Sequence, residues 1–178
     1  MRTCTLSLAL AALVAASAAA DTKVTLDGKN TKVKFVGSKK EGKHDGGFDK
    51  VSGTATAGKE ATSLKLEVEI DVTSLYTDEK KLTAHLLSPD FFDARKHPTA
   101  KFVSSKVEKS DDGYKVTGEL TMLGKTKSVS FPARIAVQEG KVSLTSGTFT
   151  IKRSEWGMTF GKGKVDDEVK LTVAVDVK

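Results

Sequence analysis

Leu64, Leu66, Val68 and Ile70 alternate with Lys65, Glu67, Glu69 and Asp71 over eight residues, a period of two that no helix can present as one face. Such a stretch is a strand with one dry and one wet face. The pattern returns near the C-terminus, where Val169, Leu171, Val173, Val175 and Val177 alternate with Lys170, Thr172, Ala174 and Asp176. It appears again in Val129, Phe131, Ala133, Ile135 and Val137, around a Pro132 that lacks a ladder donor and so predicts a bulge or an edge. Weaker runs at 31–36, 48–56, 99–107, 114–122 and 142–151 add further strands. Asp45-Gly46-Gly47, Asp111-Asp112-Gly113, Leu123-Gly124-Lys125, Glu139-Gly140 and Gly161-Lys162-Gly163 supply turns between them. Eight or nine antiparallel strands are expected. One dry face per strand fits a filled sandwich, a soluble barrel with a cavity, or a transmembrane barrel. The last wants aromatic girdles at both interfaces, which this chain does not have. The pattern alone leaves the other two open.

One segment breaks the alternation. Leu82, Leu86 and Leu87 give 78–87 a helical character, with Thr77 or Asp78 as cap and Glu79 in the first turn. Pro89 stops this helix and pushes Ser88 out of the α region, which delivers Phe91-Phe92 as a short apolar segment beyond it. A helix and two aromatics inserted into a β-protein read as a plug over an open end or edge of the sheet, and a purely structural lid is the plain alternative.

Residues 1–20 read as an export signal: Arg2, an apolar run from Leu6 to Val14, and Ala18-Ala19-Ala20 before Asp21. The run is shorter than the roughly 20 residues of a spanning helix. Cys4 is the only cysteine and precedes that run, so the mature chain, 21–178, is expected to be free of thiols and lipid anchors, and periplasmic or secreted. The precursor has 29 basic and 23 acidic residues, and losing Arg2 leaves a formal net of +5. Charges of both signs interleave along the strands and aromatics make up 6%, which argues against a nucleic-acid partner. A transient contact with an anionic membrane surface stays open. With no linker, repeat or low-complexity tract, the mature chain reads as one domain, as monomer or homodimer.

Little in the sequence speaks for catalysis. His44, His85 and His97 are scattered and have no metal-ligand spacing. Ser88 and Ser154 lack a nucleophile setting. Asp90 and Asp93 flank the Phe pair in a turn, where aspartates usually bond to nearby backbone amides. Arg95 and Arg153 are each expected to pair with a local carboxylate, with a polar head group at a barrel mouth as the alternative. Most of the aromatic and methionine residues would be core in any β-protein. Phe91-Phe92 in the plug, and Trp156, Met158 and Phe160 in a Gly-rich turn, stand outside the regular strands, where such groups can gate a tunnel.

Three motifs in order carry a family resemblance. His85-Leu86, Ser88, Asp90-Phe91-Phe92-Asp93, His97-Pro98-Thr99 and Phe102-Val103-Ser104 form the first; Gly118-Glu119-Leu120-Thr121 with Gly124-Lys125-Thr126 the second; Arg153-Ser154-Glu155-Trp156-Gly157-Met158 the third. From about Val33 onward the chain resembles the YceI family, although Leu82-Thr83 stand where members often carry an Arg-Asp pair. The resemblance implies an all-β fold with one short helical insertion, an eight-stranded antiparallel lipocalin-like barrel with an internal apolar cavity. It implies no enzyme, no cofactor and no metal, but a carrier or sequestering protein for a long-chain amphiphilic lipid of isoprenoid or fatty-acyl type. A structural or surface interaction protein with a filled core is the alternative, and an enzyme on the same barrel a more distant one. The expected cavity and mouth comprise Phe35, Phe48, Val68, Leu86, Phe91, Phe92, Phe102, Met122, Phe131, Phe149, Trp156 and Met158, with His85, Arg95 and Arg153 as candidate head-group contacts.

Overall fold

The computed structural model describes residues 21–138 and 141–177. The export signal with Cys4 and the Glu139-Gly140 turn lie outside the described residues. The alternating runs become β1 (Thr22–Asp27), β2 (Thr31–Lys39), β3 (Gly42–Phe48), β4 (Val51–Ala57), β5 (Lys65–Asp71), β6 (Leu75–Thr77), β7 (Thr99–Ser110), β8 (Gly113–Met122), β9 (Lys125–Gln138), β10 (Lys141–Ser146), β11 (Phe149–Lys152) and β12 (Val165–Val177), with one helix, α1 (Lys80–Leu87). All pair antiparallel in a single sheet of order β1-β4-β5-β7-β8-β9-β10-β12-β2-β3-β6, with β11 also on β12. The ladder is open between β1 and β6, yet the sheet curls until β1 packs over β10 and β12, giving a lipocalin-like half-barrel.

The strand count exceeds the expected eight or nine because two runs are interrupted and two strands are additional. Run 48–56 breaks at Asp49-Lys50, whose backbone N–H groups donate to the Ser74 carbonyl and to Ser74 Oγ. Run 142–151 breaks at Gly147, which donates to the Pro132 carbonyl, while Ser146 Oγ accepts the Val173 N–H that loses its ladder partner. β1 and β6 are the additions. Pro132 lies in a regular part of β9, with no bulge, and β9 is an inner strand of the sheet. Its nitrogen faces the same side as its carbonyl, where β10 has already ended at Ser146, so no ladder bond is lost.

Asp45-Gly46-Gly47, expected as a turn, lies inside β3. The glycines are there for close packing. A Cβ on Gly46 would sit 2.4 Å from Phe35 Cζ and 2.6 Å from the Tyr76 carbonyl oxygen. The hairpin turn falls instead at Lys40-Glu41. By contrast Asp111-Asp112 and Leu123-Gly124 are turns as expected, with Leu123 and Gly124 at φ 51° and 70°.

β5 shows the predicted facing: Leu66, Val68 and Ile70 are buried, and Lys65, Glu67 and Glu69 are exposed. Side chains fill one region of the interior, where Leu26, Ala55, Val116, Val142 and Leu144 are almost wholly buried. Elsewhere the dry face borders open space. Val169, Leu171 and Val173 of β12 point inward and yet remain only half-buried.

Candidate functional site

α1 begins two residues later than its apolar spacing suggested. Glu79 is its extended N-cap residue and offers no side-chain cap. Thr77 instead uses Oγ1 to accept from the Glu79 N–H, and Thr83 Oγ1 accepts from the Thr77 N–H. The segment is also pinned to β3, because Asp78 N–H donates to the Asp45 carbonyl and Asp78 Oδ1 lies 3.0 Å from His44 Nδ1. That hydrogen bond is the main cause holding the Asp78 carboxyl below its ordinary pKa. Ser88 ends the helix in an extended conformation before Pro89, as expected. The chain then folds back under α1, with Phe92 N–H donating to the Leu86 carbonyl and Ala94 N–H to the Leu87 carbonyl.

Beneath α1 lies a cavity of about 470 Å³, within the range of roughly 300–1,000 Å³ typical of ligand pockets. Its walls are mostly apolar, and the aromatics come in contacting sets. Phe35 meets Phe48 with ring centroids 5.9 Å apart, and Phe48 meets Phe92 edge-on at 5.9 Å. Across the space Phe102 lies 5.8 Å from Phe131, which stacks on Phe149 at 4.7 Å. At the opening His85, Phe91 and Phe160 form a triangle with centroid separations of 5.0, 4.8 and 5.4 Å.

Of the residues expected at the cavity, Phe35, Phe48, Val68, Leu86, Phe91, Phe92, Phe102, Met122, Phe131, Phe149, Met158, His85 and Arg153 all line it. Trp156 does not. It ends a 3-10 turn, Arg153–Trp156, is 1% exposed, and its indole N–H donates to the Leu120 carbonyl at 3.0 Å. Gly157 at φ 96° closes that turn in the left-handed region, so the chain reverses there and Met158 reaches the cavity where Trp156 does not. Arg95 is exposed and stands outside the lining.

The carboxylate pairing expected for Arg95 and Arg153 is formed by neither among the described residues. Arg153 is buried and donates to three carbonyls: Nε to Asp166 at 2.9 Å, Nη1 to Met158 at 2.7 Å and Nη2 to Val165 at 3.2 Å. Its guanidinium lies 5.8 Å from the Phe91 ring centroid. Arg153 thus clamps the loop beside the opening. Asp90 also departs from expectation, since its Oδ2 accepts from His85 Nε2 at 2.9 Å instead of from a backbone amide. Asp93 takes a φ of 41° and places Oδ2 3.3 Å from Lys96 Nζ.

Further lining comes from residues with a weaker sequence signal: Val33, Ile70, Val129, Ile151, Val169, Leu171 and Val173. The alternation in β12 marks its inward face, but no pattern in a strand separates a side chain facing a void from one facing a packed core. The polar lining is concentrated in Ser38, Lys39, His44, Glu79, Lys81, His85, Arg153 and Asp166, from the β2–β3 hairpin, α1 with its N-cap residue, the 3-10 turn and the start of β12. Among the described residues no three His, Cys, Asp or Glu side chains are grouped to hold a metal ion.

A family model described as a YceI-like domain matches residues 24–177. A UPF0312 protein of Pectobacterium atrosepticum is 32% identical over 140 residues, covering 74% of this chain and 71% of that protein. Protein YceI of Escherichia coli O157:H7 is 32% identical over 137 residues, covering 74% and 72%. Among solved structures, Burkholderia cenocepacia BcnA superposes with a TM-score of 0.73 at 28% identity over 83% of this chain and 96% of that one. A polyisoprenoid binding domain from Saccharophagus degradans gives 0.69 over 88% and 99%, at 12% identity, a likeness of fold alone.

Proposed function

The chain belongs to the YceI family, and on that premise we propose that it is a periplasmic or secreted carrier that holds one long-chain isoprenoid or related amphiphilic lipid, without covalent chemistry. The observation that carries this reading is the cavity, about 470 Å³ of open space walled by apolar side chains, with its charged groups gathered to one side. Moving one CH₂ from water to such a space yields about 0.8 kcal/mol, so a chain of about twenty carbons contributes on the order of 10 kcal/mol before ordering costs. A polyisoprenoid binding domain on the same fold, that of Saccharophagus degradans, fits this use of the cavity. A structural protein with a filled interior fits poorly, since Val169, Leu171 and Val173 face open space. An enzyme would want a buried acid or base in the cavity. The carboxyls whose pKa is displaced, Asp27, Asp71, Asp78, Glu108 and Asp167, are held low by hydrogen bonds near the surface instead.

Native mass spectrometry of the protein purified from its own host tests the reading. A mass increment that organic extraction removes, with the extract containing one class of long-chain lipid, is the expected result. A bare mass, together with no uptake of a fluorescent polyprenyl or fatty-acyl probe by the purified protein, would overturn it. The same spectrum reports export: the proposal requires a chain that begins near Asp21 and lacks Cys4.

A further inference from the structure

The three large hydrophobic side chains most exposed among the described residues are Tyr76, Val103 and Phe160, and Phe160, at 44%, is the most exposed of them. Phe160 alone of the three also lines the cavity. It precedes the Gly161-Lys162-Gly163-Lys164 turn, and its ring rests against His85 of α1 and against Phe91 while its other side is open. The β2–β3 tip lies beside this turn, because Lys39 pairs with both Val165 and Gly42. Lys81 of α1 joins Lys39 and Phe160 in the lining.

Lys39, Lys40, Lys43, Lys81, Lys162 and Lys164 are therefore gathered around one opening, and all are exposed. The acidic groups around the same opening are Glu41, Asp78, Glu79, Asp90, Asp166 and Asp167, of which Asp78 is engaged by His44, Asp90 by His85 and Asp167 by Ser154. The wet face of β5, by contrast, carries Lys65 followed by Glu67, Glu69 and Asp71. An exposed ring on a glycine-flanked turn, ringed by flexible cations, matches the chemistry of an anionic bilayer surface: apolar at acyl depth and negative at the headgroups. A folded protein partner would be expected to need a broader apolar area than one ring.

We propose that this rim docks on an anionic lipid bilayer, with Phe160 entering the interface and the six lysines contacting headgroups, so that the cavity opens toward the membrane. The inference rests on the lipid-binding reading for its purpose. Its test separates the two, because docking is measured apart from uptake.

Purified protein is sedimented with vesicles of phosphatidylcholine containing phosphatidylglycerol, and with vesicles of phosphatidylcholine alone. Binding is expected only to the first and should fall as salt is raised. A juxtamembrane lysine is worth roughly five-fold in affinity, so Lys162→Glu/Lys164→Glu, which removes two, should weaken binding by roughly 25-fold or more. Neither residue lines the cavity, and uptake of a fluorescent fatty-acyl probe from solution should be unchanged in that variant. Phe160→Ala should lower vesicle binding at every salt concentration and leave the salt dependence as it was. Lys109→Glu/Lys115→Glu, at the far end of the β7–β8 hairpin, removes the same charge away from the rim and should retain most binding. Equal binding to both vesicle types, or equal loss from the rim and hairpin pairs, would overturn the proposal. If probe uptake fails in the unaltered protein, the lipid-binding reading falls by itself.

Discussion

Phe91 and Phe92 are neighbours in sequence but meet different surroundings. Phe91 is 7% exposed, touches His85 edge-on and lies beside the Arg153 guanidinium. Phe92 is only half-buried; it packs against the edge of the core, meets Phe48 edge-on and borders the cavity. Truncating a packed phenylalanine costs about 3–5 kcal/mol, whereas a ring bordered by open space has fewer contacts to lose. Phe91→Ala is therefore expected to destabilise the ligand-stripped protein more than Phe92→Ala. Phe92→Ala should weaken probe uptake at least as much. Thermal unfolding beside a fluorescent-probe titration makes the comparison; a Phe92→Ala protein that loses stability like Phe91→Ala and binds normally would make that ring an ordinary core ring. At this scale the sequence identifies residue types better than their partners. The plug aromatics are marked by Pro89, but nothing local shows that Trp156 turns inward to the Leu120 carbonyl, or that Arg153 is satisfied by three carbonyls from a loop up to thirteen residues away.

Strands are legible where one face is dry along the whole element, and β5 is the clear case, since each apolar residue meets the core and each charged one meets water. β3 is the opposite case. Its Asp45-Gly46-Gly47 has the composition of a turn, but the glycines answer to the Phe35 and Tyr76 rings, which are contributed by β2 and β6. Composition cannot show that requirement, because it originates on two other strands. Gly46→Ala is expected to force the Phe35 ring and the β6 backbone apart and to cost about 1–3 kcal/mol, the range for overpacking a filled site. Urea unfolding measures it. Gly37→Ala in the facing strand has no heavy atom within 4 Å of the added Cβ and should be close to neutral. Similar losses at both positions would mean that strand propensity, and not the contact with Phe35, governs the site.

For the molecule as a whole, acid is expected to weaken the fold through surface carboxylates tied to backbone. Asp71 is held low chiefly by the Thr73 hydroxyl, Asp167 by the Ser154 hydroxyl and amide, and Asp27 by the Asn30 and Lys29 amides. A depressed folded-state pKa contributes stability that is present above the ordinary value of 3.8 and is lost as pH falls through the depressed one. The unfolding temperature should therefore hold from neutral pH to about pH 5 and fall below about pH 4, with a shallower acid limb in Asp167→Asn. The cavity itself yields the sharpest contrast between architectures. Sequence alternation permits a sandwich or a barrel alike, because an inward valine looks the same whether it meets side chains or space. Val116 is wholly buried in the filled region, while Val173 is half-buried and lines the cavity. Val116→Phe must displace packed neighbours and should cost about 1–3 kcal/mol or more, several degrees of unfolding temperature in a domain of this size. Val173→Phe extends into open volume, so the stripped protein should unfold near the parent temperature or slightly above it. The added ring occupies space that a lipid chain would need, and probe uptake should drop sharply even though the fold is intact. A Val173→Phe protein that unfolds as early as Val116→Phe would mean the space is closed in solution. One that stays stable and binds the probe as the parent does would place the lipid outside this cavity.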